Sequence, residues 1–173
     1  MINQFRDEYY FLSNFSDSPM EYDGISYQNA EAAFQAQKCV NAADRLAFSK
    51  LNSSEAKKLG RRVSLRPDWE DIKVGVMRDI VRAKFSQNPE LEEKLLATSG
   101  EYLEEGNTWG DRVWGTVNGS GANLLGQILM ELRGNLELNN PARLRRTRIP
   151  MCPSGFLHPE QIETAIQSIL RSP

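Results

Sequence analysis

Histidine and cysteine are scarce in this chain: one histidine, His158, and two cysteines, Cys39 and Cys152, among 173 residues. A Ser-His-Asp triad or a histidine-rich metal site needs imidazoles that the sequence does not supply. The two thiols are far apart with no paired spacing, which gives no disulfide framework or zinc site and suits a reducing compartment. No apolar run approaches the roughly 20 residues that cross a bilayer. Residues 1–8 carry no apolar signal core, so a cytoplasmic location is the expectation. Net charge is also nearly missing, −2 from 21 basic and 23 acidic residues, so there is no global pull toward nucleic acid.

What is present is ordinary globular composition, 40% hydrophobic and 25% charged, in a length that suits one compact domain. Charge is local rather than global. Lys57, Lys58, Arg61 and Arg62 form one basic cluster, and Arg143, Arg145, Arg146 and Arg148 form another. Each is either a solvated face or a phosphate contact made by point charge and bidentate hydrogen bonds.

Residues 1–28 are rich in aromatics and turn formers and read as short strands joined by tight turns, with Asp23-Gly24 a hairpin turn. Asn29 is a good N-cap for a helix over 29–40 whose four alanines permit close packing. A second short helix is expected over 44–51. A third, capped by Ser53 or Ser54, stops at Gly60. The strongest helical period runs over 68–85, where Trp69, Ile72, Val76, Ile80 and Ala83 recur at three- and four-residue steps. Asn88-Pro89 restarts the chain as a helix to Ala97, a strand is expected over 101–105, and helices over 122–138 and 159–170. Between them, residues 106–121 form a glycine-rich loop of a length usually functional or mobile.

Two places stand out chemically. On the helix after Asn29, the residues Glu31, Phe34, Gln35 and Lys38 fall at i, i+3, i+4 and i+7 and share one stripe. In the first turn the backbone dipole would lower the pKa of Glu31, so a simple capping role is the plain alternative. The loop sequence Gly106-Asn107-Thr108-Trp109-Gly110-Asp111-Arg112-Val113-Trp114-Gly115 holds two tryptophans, which either plug the core or offer flat faces to a planar ligand. Glycines beside them allow a ring to approach the backbone closely, and a base stacked on such a face gains roughly 1–3 kcal/mol. Trp69 opens an apolar stripe and reads as core.

These residues resemble the NADAR family. The likeness is carried by Phe11-Leu12-Ser13-Asn14-Phe15, Asp23-Gly24 and Glu31-Ala32-Ala33-Phe34-Gln35-Ala36-Gln37-Lys38. It continues through Leu59-Gly60-Arg61, Arg66-Pro67-Asp68-Trp69, Lys84-Phe85, Leu103-Glu104-Glu105-Gly106-Asn107-Thr108-Trp109 and Asp111-Arg112-Val113-Trp114-Gly115. It closes with Gly119-Ser120-Gly121-Ala122-Asn123-Leu124-Leu125-Gly126 and Leu129-Met130-Glu131-Leu132-Arg133. It covers roughly residues 5–137.

The resemblance implies a mostly helical α+β fold, here a single compact domain over 1–138 with a short N-terminal β-region and a small β-sheet. Residues 139–173 would be a C-terminal extension packed on it, acting as a cap, a partner surface or a phosphate contact. The implied activity is metal-independent hydrolysis of a ribose C1′–N bond, without a cofactor. Two substrate classes go with it: ADP-ribose on guanine, including ADP-ribosylated DNA, and ribosylamino-pyrimidine phosphates of riboflavin synthesis. The competing reading is a module that binds ADP-ribose or a modified base without cutting it.

The family's functional glutamate falls on Glu31, and its aspartate and tryptophan on Asp111 and Trp114, with Trp109 as the alternative register. Its helix-opening tryptophan falls on Trp69, which moves that residue toward the pocket. Asn14, Phe34, Lys38, Arg61, Arg62 and Asn123 complete the candidate substrate-binding set. Many members carry histidine after the glutamate, where this chain has Ala32.

Overall fold

A computed structural model of the protein describes residues 1–139. The arginine cluster at 143–148, the expected helix over 159–170 and the expected packing of the extension lie outside the described residues.

The N-terminal aromatic segment opens with a 3₁₀ turn over Asp7–Leu12 rather than a strand. Strands β1 (Asp17–Tyr22) and β2 (Ile25–Asn29) then form an antiparallel hairpin. Its turn is Asp23-Gly24, with φ of 52° and 73°. Two left-handed residues in a row match the twist of the strands, and an aspartate followed by glycine tolerates them. Register slips between Asp17 and Met20, where Pro19 has no N–H to give to the ladder. Two side chains from the end of α4 bond the backbone of β1, Asn88 Nδ2 donating to Pro19 C=O at 3.2 Å and Gln87 bonding Glu21 twice. Gln87 accepts from Glu21 N–H through Oε1 at 2.7 Å and donates to Glu21 C=O through Nε2 at 2.9 Å, as a neighbouring strand would.

Helix α1 (Ala30–Ala36) follows β2 directly. Asn29 is its cap, Oδ1 accepting from Ala32 N–H at 2.8 Å. Every residue of α1 is buried, and Ala30, Ala32, Ala33 and Ala36 have no exposed surface, so small side chains let neighbouring backbones approach on all sides. The helix ends at Ala36 and not near Val40. Gln37, Lys38 and Cys39 each donate three residues back, to Phe34, Gln35 and Ala36, which tightens the last turn and turns Lys38 out of helix.

The expected second helix splits into α2 (Ala42–Arg45) and a 3₁₀ turn over Leu46–Phe48. Helix α3 (Ser53–Gly60) is capped by Asn52, one residue earlier than expected, in a reciprocal capping box with Glu55. Helix α4 (Trp69–Gln87) buries Trp69, Met77, Ile80, Val81, Lys84 and Phe85. Helices α5 (Pro89–Ala97) and α6 (Leu124–Asn139) complete the set. The strand expected over 101–105 is reduced to a single parallel bridge between Ile2 and Leu103.

The glycine-rich segment is ordered against the start of α6. Ala122, Asn123, Leu124 and Leu125 donate their N–H groups to the carbonyls of Arg112, Gly115, Val113 and Trp114. Those are the donors that a helix N-terminus leaves free, so the loop satisfies the helix and the helix fixes the loop.

Candidate active site

One cavity of about 760 Å³ gathers the conspicuous residues of the sequence. Helix α1 supplies Glu31, Phe34 and Gln35, and Lys38 follows it; α3 and its end supply Lys57 and Arg61; α4 supplies Trp69, Lys73 and Met77. The turn after the 3₁₀ segment gives Asn14 and Phe15, and the glycine-rich segment gives Trp109, Asp111 and Trp114.

Glu31 is 7% exposed. Its N–H donates to Asn14 C=O at 3.0 Å, which locks the first turn of α1 to the Asn14 turn. Gln35 Nε2, one helical turn on, donates to Glu31 Oε1 at 2.9 Å, while Oε2 has no hydrogen bond from any described residue. Burial pushes the Glu31 carboxyl up from its ordinary value. The Gln35 hydrogen bond and the Lys57 and Lys38 ammoniums oppose that rise, and Asp111 adds to it. Desolvation thus outweighs the lowering expected from the first-turn dipole of this seven-residue helix, and the net shift is upward.

Phe34 sits between two tryptophans. Its ring centroid is 5.1 Å from Trp69, tilted, and 5.3 Å from Trp114, edge to face. Trp69 is thus both core, at 4% exposure, and part of the cavity wall. Trp114 is half-buried, and Trp109 stands at the rim with 58% of its surface exposed. Lys38 Nζ reaches Gly60 C=O at 3.4 Å and lies 6.0 Å from the Trp69 ring centroid; burial lowers its pKa and the Glu31 carboxylate raises it.

Asp111 has a divided role. Its Oδ1 accepts from Val113 N–H and Trp114 N–H, both at 2.9 Å, so one oxygen shapes the loop that carries Trp114 while the side chain lines the cavity. Two of the expected contact residues are not at the cavity. Arg62 is absent from its wall, although Arg61 is there. Asn123 is 2% exposed and works behind the wall, accepting from Glu105 N–H at 3.0 Å and donating to Leu103 C=O at 2.9 Å. Its amide therefore bonds the backbone of the 103–105 segment.

Sequence reasoning missed three residues. Glu105 lines the cavity, half-buried, with its carboxyl up at about 8 through burial first and then the charges of Asp111 and Glu31, against Lys57. Gln35 was seen on the stripe but not as the holder of Glu31. Lys84, fully buried on α4, donates through Nζ to Phe11 C=O at 2.7 Å, Ser13 C=O at 2.8 Å and Ser16 Oγ at 2.9 Å. Burial lowers its pKa to about 7, against three oxygens that favour the ammonium. It ties down the turn that presents Asn14 and Phe15. A lysine at a buried phase of an apolar helix was the available signal.

Among the described residues, no three His, Cys, Asp or Glu side chains form a metal-holding group, and no helix is long and apolar enough to cross a membrane.

Known proteins share this framework. N-glycosidase YbiA of Shigella flexneri serotype 5b (strain 8401) is 42% identical over 136 residues, covering 76% of this chain and 84% of that protein. N-glycosidase Npun_R5314 of Nostoc punctiforme is 35% identical over 129 residues, covering 70% and 82%. The Riboflavin biosynthesis protein VVA0006 of Vibrio vulnificus is 37% identical over 139 residues, which are 78% of this chain and 37% of that longer protein. The NMR structure of the E. coli protein YbiA superposes with a TM-score of 0.70 at 35% identity, covering 87% of this chain and 93% of that one. With the NADAR domain profile matching residues 2–137, the chain belongs to the NADAR family.

Proposed function

We propose that this protein is an N-glycosidase that hydrolyses a ribose C1′–N bond, with the Glu31 carboxylate at the anomeric carbon. One observation carries the assignment: a buried carboxylate lining a large aromatic-walled cavity, one oxygen held by Gln35 and the other without a hydrogen-bond partner among the described residues.

Cleavage builds positive charge on the sugar ring and negative charge on the departing nitrogen. A fixed carboxylate beside C1′ stabilises the first and can take the proton of the attacking water. The low-dielectric floor strengthens that attraction, and the Gln35 amide keeps the group from turning away. Asp111 helps by holding Trp114 and by offering its second oxygen to the ribose. The indoles of Trp109, Trp114 and Trp69 give the base flat faces to stack on. Lys38, Arg61 and Asn14 are placed for phosphate and ribose oxygens. Among substrates, ADP-ribose on guanine, free or in DNA, suits the lining cations Lys38, Lys57 and Arg61, and a ribosylamino-pyrimidine phosphate is the smaller alternative.

The test is to incubate the purified protein with ADP-ribosylated guanine DNA and, separately, with a ribosylamino-pyrimidine 5′-phosphate. Release of ADP-ribose or ribose 5-phosphate is expected from at least one. Retention of substrate without release would make it a binding module. Glu31→Gln should bind with a nearly unchanged KM and turn over about 100-fold more slowly or worse, the contribution of a placed acid or base. Wild-type turnover in that variant rejects the assignment.

A further inference from the structure

We propose that Glu105 is the general acid of this cavity, delivering a proton to the departing nitrogen as the C1′–N bond breaks. This rests on the N-glycosidase reading and adds the half of the reaction that Glu31 does not perform.

Four acidic side chains line the cavity; Glu70 is paired with Lys73, and the other three are sorted by what donates to them. Glu31 Oε1 receives the Gln35 amide N–H, and Asp111 Oδ1 receives two backbone N–H groups. A donor aimed at a carboxyl oxygen favours the ionised form. Glu105 receives no hydrogen bond on its carboxyl from any described residue. Burial without a compensating donor favours the neutral form of a carboxyl, and a protonated carboxyl with no protein partner is free to give its proton to a ligand.

The backbone around Glu105 is fixed from both sides. Its N–H donates to Asn123 Oδ1 at 3.0 Å, and its C=O accepts from Thr116 N–H at 2.9 Å. Gly115 passes so close that a Cβ there would meet Glu105 O at 2.1 Å. The side chain is therefore presented to the cavity by a rigid frame that does not depend on the carboxyl itself.

Burial and the charged groups around it set its titration. Burial pushes its carboxyl up first, Asp111 from the loop and Glu31 from α1 add to the rise, and Lys57 from α3 opposes it, leaving it at about 8. Arg6, Lys38, Arg61, Glu70 and Lys73 complete the charged lining of the cavity. At neutral pH the protonated form is then available. Water adds to C1′ and its proton passes to the Glu31 carboxylate. The C1′–N electron pair leaves with the nitrogen, which takes the proton of Glu105. Exchange with solvent returns a proton from Glu31 to Glu105.

The experiment is the pH dependence of kcat and KM for the wild type, Glu105→Gln, Glu105→Asp and Glu31→Gln on whichever ribosyl substrate the wild type cleaves. Wild-type kcat should fall above about pH 8, where Glu105 loses its proton. Glu105→Gln should lose about 100-fold or more in kcat with KM within about threefold, and its alkaline limb should vanish. Glu31→Gln should instead keep an alkaline limb. Glu105→Asp should run at an intermediate rate with an alkaline limb retained, and it carries the test should the glutamine variant not fold. A Glu105→Gln enzyme within fivefold of wild type, or one that keeps the alkaline limb, overturns the proposal, as does wild-type turnover in Glu105→Asp without any alkaline limb. If the wild type releases no ribose product from any such substrate, the glycosidase reading itself fails, and the acid with it.

Discussion

Gly60, at the end of α3, lies so close to Gln35 that a Cβ built on it would meet Gln35 Oε1 at 2.0 Å. Gln35 in turn donates to Glu31. A glycine two elements away thus sets the side chain that holds the buried carboxylate. The expected outcome for Gly60→Ala is loss of about 1–3 kcal/mol of stability from overpacking. A kcat drop of about tenfold should accompany it, because Gln35 can relieve the clash only by leaving Glu31. Thermal melts and steady-state kinetics on the same preparation measure both.

Gln35→Leu removes the donor without crowding the site. The Gln35 hydrogen bond lowers the Glu31 pKa, so its loss lets burial push that group higher still. The acid limb of kcat against pH should move to higher pH, and activity at neutral pH should fall. An unchanged acid limb would mean that Gln35 does not act through Glu31.

Lys84→Met keeps the volume of a buried side chain but strips donors from Phe11 C=O, Ser13 C=O and Ser16 Oγ. Ser13 C=O keeps its bonds from Ser16 N–H and Oγ–H, whereas Phe11 C=O keeps only a 3.5 Å contact from Ser16 Oγ. Leaving one buried acceptor poorly paired costs about 1–3 kcal/mol, and that loss is expected in urea unfolding. Because the Ser13 to Ser16 turn carries Asn14 and Phe15 to the cavity, KM should rise in the variant even where it is fully folded.

Glu105 couples stability to pH in an unusual direction. Its folded-state value of about 8 lies above the ordinary 4.5, so the folded protein holds a proton there that the unfolded chain has released. Stability from this group is full below about pH 4.5 and is lost as pH rises toward 8. Glu105→Gln should therefore be more stable than wild type at pH 8, on the order of 1–2 kcal/mol after allowance for partial exposure, and no more stable at pH 4. A variant that is stabler and less active at pH 8 is the expected signature of a functional acid.

The three tryptophans separate by exposure. Trp109, 58% exposed, should change stability by less than about 0.5 kcal/mol when replaced by alanine, while losing roughly 1–3 kcal/mol of substrate affinity through lost stacking. Trp69→Ala removes a nearly buried ring packed on Phe34 and should cost about 3–5 kcal/mol of stability before any effect on binding is read. Calorimetric melts and substrate titration of the two variants distinguish the roles.

Much of the local structure follows from short-range signals. Asn29 caps α1, Asp23-Gly24 turns the hairpin, and the period from Trp69 onward makes α4, because each depends on groups within a few residues of one another. The candidate carboxylate Glu31 and the aromatic positions were likewise visible as a helical stripe and a glycine-rich loop. Boundaries moved where long-range bonds compete. Lys38 C=O accepts from Arg66 N–H at 2.9 Å, and α1 stops short of it.

The sequence by itself determined where α1 and α4 begin, which turn reverses the hairpin, and that Glu31, Phe34 and Gln35 share one side of α1, since these depend on short-range spacing. Only the tertiary structure decided the upward direction of the Glu31 pKa shift, because desolvation is set by what packs over a group. It also brought Glu105 into the cavity beside Glu31, hid Asn123 behind the wall, and spent Lys84 on holding the Asn14 turn. Those pairings join residues far apart in the chain, and no local pattern encodes where such partners meet.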